Sequence, residues 1–101
     1  MTTIPEEINQ LVNLQCLNLN NNKIKKIVNI NNLVNLQRLE LRSNKIEKME
    51  NLNYNKNLVL ITLSCNLITE IKEEDISLME NLEELGLFGN YLGILRVFYF
   101  A

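Results

Sequence analysis

The apolar positions of this chain fall on one ruler. Leu14, Leu17 and Leu19 are followed by Asn22, and the same spacing returns as Leu36-Leu39-Leu41-Asn44, Leu58-Ile61-Leu63-Asn66 and Leu82-Leu85-Leu87-Asn90. The asparagines step by 22, 22 and 24 residues, and so do the leading leucines. Past each asparagine the apolar set continues with Ile24, Ile46, Ile68 and Leu92, then with Ile27, Met49 and Ile71. Ile30 and Leu52 follow, with Ile76 roughly equivalent in the longer third copy. Leu11 and Leu33 open the first two copies. Ile8 stands 22 residues before Ile30, so residues 1–10 read as the tail of an incomplete preceding repeat. Repeats at 11–32, 33–54, 55–78 and 79–101 then complete a single domain spanning 1–101.

The spacing within each copy predicts local structure. Leu17 and Leu19 are two apart, as are Leu39 and Leu41, so both members of a pair point to the same side of a strand. Like strands stack in parallel at about 4.8 Å per repeat. After the strand the chain must turn and run back along the outside, with the isoleucines packing inward. One repeat cannot bury this face alone, so the copies must stack on one another. Lys72 to Glu80 holds two extra residues and good helix formers, which predicts a helical turn on the outer side there.

The asparagines fall where the strands end and the backbone leaves the ladder. A primary amide donates and accepts, so it can satisfy those groups from inside. Asn22, Asn44, Asn66 and Asn90 are therefore expected to form one buried ladder. A second column, Asn13, Asn35, Asn57 and Asn81, precedes each leading leucine and is expected to shape the turn before the strand.

Composition narrows the chemistry. There is no histidine, which removes the usual general base and the commonest metal ligand. No glycine loop for phosphate is present, and no serine or cysteine has an evident base beside it. No catalytic residue, cofactor or metal site is expected. A net charge of −2 argues against a general nucleic-acid binder and against a polybasic membrane-surface protein. No apolar run approaches the ~18 residues of a membrane span. The start, Met1-Thr-Thr-Ile-Pro-Glu-Glu, lacks the basic and apolar regions of a signal peptide. Cys16 and Cys65 lie two repeats apart, too far for a bridge, so a reduced, cytoplasmic location is expected, with the nucleus also open.

These repeats resemble the leucine-rich-repeat superfamily over roughly residues 4–94. The 22-residue period with isoleucines after the asparagine is similar to the subclass that includes the regulatory subunit of protein phosphatase 1, an axonemal dynein light chain, a spliceosomal U2 subunit and bacterial internalins. The resemblance implies an α/β solenoid, a fragment of a right-handed horseshoe. Its concave parallel sheet would have four to five short strands, and its convex side loops, 3-10 turns or short helical turns. It also implies protein binding on the concave sheet. Members normally carry a cap at each end, and no cap motif is evident here.

The register then assigns the concave face. The outward residues are Gln15, Cys16, Asn18 and Asn20 in the first copy and Gln37, Arg38, Glu40 and Arg42 in the second. The third gives Val59, Leu60, Thr62 and Ser64, and the fourth Glu83, Glu84, Gly86 and Phe88. Val59, Leu60 and Phe88 are candidate apolar anchors. Arg38 and Arg42 are candidate recognition charges, although Arg38, Glu40 and Arg42 can also pair with one another on a solvated sheet. Charge drifts along the outer side from Lys23, Lys25 and Lys26 to Glu70, Glu73, Glu74 and Asp75. The leading expectation is a non-catalytic module that binds a protein partner on its concave sheet in a regulatory, phosphatase-regulator-like role. Alternatives are a structural or cytoskeletal subunit that self-associates weakly through its uncapped ends or residues 94–101, and an internalin-like adhesin.

Overall fold

A computed structural model describes residues 1–92 of the chain. Four strands, β1 (Cys16–Asn18), β2 (Arg38–Glu40), β3 (Leu60–Thr62) and β4 (Glu84–Gly86), form one parallel sheet in chain order. Cys16 pairs with Arg38, Arg38 with Leu60 and Leu60 with Glu84, so the register follows the sequence ruler step for step.

Each strand is only three residues long, but hydrogen bonding runs beyond it. At the upstream end one carbonyl serves two donors: Gln15 O accepts from the N–H groups of Gln37 and Arg38, at 2.8 and 3.0 Å. Gln37 O does the same for Val59 and Leu60, and Val59 O for Glu83 and Glu84. Downstream, Leu19 N bonds Glu40 O and Asn21 N bonds Arg42 O, and both bonds recur in the next two pairs of repeats. A second set of bonds ties the return segments together. Lys45 N bonds Ile24 O, Leu67 N bonds Ile46 O and Tyr91 N bonds Ile68 O. Lys23 N bonds Met1 O at 2.8 Å, so the first residues act as the return segment of a preceding repeat. Ile4 is fully buried there, ahead of a 3-10 helix at Glu6–Gln10.

The core lies between the sheet and the return segments. Leu39, Leu41, Ile61 and Leu63 are fully buried, as are Ile24, Ile27, Ile46 and Ile68. The extra residues of the third repeat form α1 (Glu73–Ile76), where the helical turn was expected. Lys72 N–H donates to the Asp75 carboxylate at 2.9 Å, and Asp75 N–H bonds Lys72 O, which closes the first turn. In the fourth repeat Leu82, Leu85, Leu87 and Leu92 are only half-buried, because no described repeat follows to cover them.

Candidate functional site

The asparagine ladder forms, and it consumes the polar groups at the strand ends. Asn66 Nδ2 donates to the carbonyls of Leu41, Leu63 and Ser64 at 2.9 to 3.2 Å, and its Oδ1 accepts from Ile46 N at 3.0 Å. Asn44 repeats this with Leu19, Leu41, Arg42 and Ile24. Asn90 donates to Leu63 O and Leu87 O and accepts from Ile68 N. Asn22 has only its own repeat to bond, at Leu19 O and Asn20 O. Burial follows the same order: Asn44 and Asn66 are buried, whereas Asn22 and Asn90 at the two ends are half-buried.

The second column lies in the turns before the strands, closed by bonds such as Leu14 N to Leu11 O and Leu36 N to Leu33 O, and three of its members, Asn35, Asn57 and Asn81, do more than turn the chain. Their Nδ2 groups reach back to Val12 O, Val34 O and Lys56 O in the preceding repeat, at 2.8 to 3.2 Å. They are at once turn residues and braces between repeats.

Further structural asparagines escaped the sequence reading. Asn29 and Asn51 have φ near 60°, a left-handed conformation that asparagine tolerates, and donate to Ile4 O and Ile27 O at 2.7 Å. Asn55 stands where Leu11, Leu33 and Met79 stand in the other copies. It is fully buried, donates to Ile30 O and Leu33 O, and leaves its Oδ1 unpartnered. With these amides all turned to the frame, the candidate site is the open face of the sheet.

On that face the pleat aims Cys16, Asn18, Arg38, Glu40, Leu60, Thr62 and Glu84 away from the buried Leu17, Leu39 and Ile61. Gln15, Gln37 and Val59 precede their strands and carry the shared carbonyls, and Glu83 precedes β4 and donates to the last of them. Cys16, Asn18, Arg38, Arg42, Glu83 and Glu84 are exposed, whereas Glu40, Val59, Leu60, Thr62 and Ser64 are half-buried. Phe88 is 83% exposed, the most open large apolar side chain among the described residues. Asn20 is partly committed, because its Oδ1 accepts from Arg42 N at 2.7 Å. Asn18 Oδ1 accepts from Asn20 N.

Charges on this face are not neutralised locally. Arg38, Glu40 and Arg42 do not pair with one another; among the described residues the single ion pair is Lys72–Glu70, at 4.0 Å on the outer side. Alternate strand residues are roughly 6.6 Å apart, and both guanidinium groups stay in solvent rather than fold onto the half-buried Glu40. Glu40 instead takes a long contact of 4.0 Å from the Cys16 thiol. Cys16 and Cys65 are both free. Three shallow grooves of about 330, 420 and 480 Å3 run along the turns and the N-terminal corner rather than across the sheet. Among the described residues no group of three or more acidic, cysteine or histidine side chains is placed to hold a metal ion. No helix among them is long and apolar enough to cross a membrane.

Comparison with known proteins agrees with this geometry. Two family models match, one described as leucine-rich repeats in two copies over residues 2–54, the other as a leucine-rich repeat over residues 35–92. A solved leucine-rich-repeat protein of Leptospira interrogans is similar at 27% identity and a TM-score of 0.64. The match covers 94% of this chain and 30% of that one, so the chain spans under a third of its structural relative. No curated protein matches the sequence. The chain belongs to the leucine-rich-repeat family, whose domains generally serve as non-catalytic protein-interaction modules.

Proposed function

We propose that this chain is a non-catalytic module that binds a protein partner on the open, concave face of its sheet and acts as a regulatory subunit. The observation that carries the reading is the contrast in how polar groups are used. The amides are bonded into the frame, while Arg38 and Arg42 stand exposed and unpaired on the face that also carries the exposed Phe88. Arginine and aromatic side chains are the residue types that dominate protein interfaces. The 22-residue period supports the subclass that includes the phosphatase 1 regulator, so a phosphatase is the first partner class to test. The two free cysteines support a reduced compartment, the cytoplasm.

Affinity purification with mass spectrometry tests the reading. A partner captured by the natural chain and lost with the double variant Arg38→Glu, Leu60→Asp supports it. A partner retained by that variant places binding elsewhere. A second reading, a structural subunit that stacks end to end, draws on the half-buried Leu85 and Leu87 of the last repeat. Its other expected contributor, residues 94–101, lies outside the described residues.

A further inference from the structure

We infer that the open face pairs with a second copy of this chain, face to face, about a two-fold axis that runs parallel to the strands above Leu60. This rests on the concave-face reading and names its partner. The register sets Arg38, Leu60 and Glu84 side by side on β2, β3 and β4, and the same three strands lead on to Arg42, Ser64 and Phe88. Arg38 and Glu84 are two strand spacings apart, roughly 10 Å, and do not pair within the chain. The row of Arg38, Leu60 and Glu84 therefore reads positive, apolar, negative across three strands, a pattern that is its own complement.

The axis is chosen by the charges. Rotation about a line along the strands over β3 sets Arg38 opposite Glu84 of the second copy, and Glu84 opposite its Arg38. Leu60 then meets Leu60. Arg42 faces the open ring of Phe88 of the second copy, a cation–π arrangement. Glu40 faces Gly86, which has no side chain to obstruct it. The other two-fold axis, across the strands, sets Arg38 against Arg42 and Glu40 against Glu40 and is repulsive. Moving the axis between β2 and β3 covers more sheet but leaves both arginines without an anion. In the chosen arrangement β1, with Cys16 and Asn18, lies beyond the contact.

A C2 contact of this kind is closed and self-limiting. Three strands at about 4.8 Å, each exposing some 20 Å of chain, offer roughly 300 Å2 per copy. A stable interface takes about 800 Å2 from each side, so the pair is weak and salt-sensitive.

Sedimentation of the full chain from about 10 µM to about 1 mM spans that weak range. The natural chain is expected to shift from monomer to dimer. Arg38→Glu alone makes Glu face Glu, and Glu84→Arg alone makes Arg face Arg. Each is expected to move the midpoint up at least tenfold, by like-charge repulsion at two symmetric contacts. An equimolar mixture of the two restores both pairs, and its midpoint is expected to return to within about threefold of the natural chain. Cys16→Ser leaves the midpoint unchanged. A natural chain that stays monomeric, a mixture that fails to recover, or a dimer indifferent to both reversals overturns the pairing. A monomeric chain that captures a foreign protein through Arg38 overturns the pairing but keeps the concave-face reading. A monomeric chain whose captured partners ignore Arg38 and Leu60 overturns both.

Discussion

The two sides of one sheet obey opposite rules. Inward, each repeat sets the same residue types at the same step: Leu39 and Leu41 lie beside Ile61 and Leu63, all fully buried. Outward, the columns within the strands do not repeat. Cys16, Arg38, Leu60 and Glu84 share one register position and four different chemistries. The inner side must repeat because each repeat is the floor on which the next is packed. The outer side is free of that demand, so its variation can be spent on recognition. The asparagines belong with the inner rule, since their amides close the backbone of neighbouring repeats.

Substitutions on the two sides should separate this contrast cleanly. Leu39→Ala leaves a cavity between packed repeats and is expected to lower unfolding free energy by about 3–5 kcal/mol, measured by urea denaturation. Asn66→Ala removes three carbonyl contacts and strands the Ile46 N–H in the core, an expected loss of about 2–3 kcal/mol. Asn22→Ala, at the half-buried end of the same ladder, should cost about 1 kcal/mol. An equal loss at both positions would mean that the ladder does not derive its strength from stacking.

Smaller effects sharpen the picture. Asn21, Ser43, Cys65 and Gly89 occupy one column and all have positive φ, between 58° and 75°. Gly89 suits it fully and Asn21 tolerates it, whereas Ser43 and Cys65 are strained there. Ser43→Gly relieves that strain and is expected to stabilise by about 0.5–1 kcal/mol in thermal unfolding, net of the added chain entropy. Arg38→Glu should change stability by less than about 0.5 kcal/mol, because Arg38 is exposed and unpaired in the free chain. A loss above 2 kcal/mol there would show that the open face is part of the frame.

Much of this was legible in the residues, for a physical reason. A step of 22 fixes which leucine lies over which, and with it the ladder and every column of the open face. What the period could not convey is where a side chain reaches. Asn35 and Asn57 sit in the turns their position implies, but their amides also bond the repeat before them. Arg38, Glu40 and Arg42 alternate in sequence as an ion-pair set would, yet they do not pair. The left-handed column stayed hidden because Asn, Ser, Cys and Gly share no common side chain. Asn55 stayed hidden because it breaks a leucine column, and a break in a period carries no instruction about its partner.

Repetition builds the frame while the unrepeated side binds. Partner capture and thermal midpoint, measured in parallel for the natural chain and for Arg38→Glu, Leu60→Asp, test this division. Capture is expected to be lost while the double variant stays folded, with a melting curve close to the natural one. Capture that survives both changes in a folded chain would contradict it.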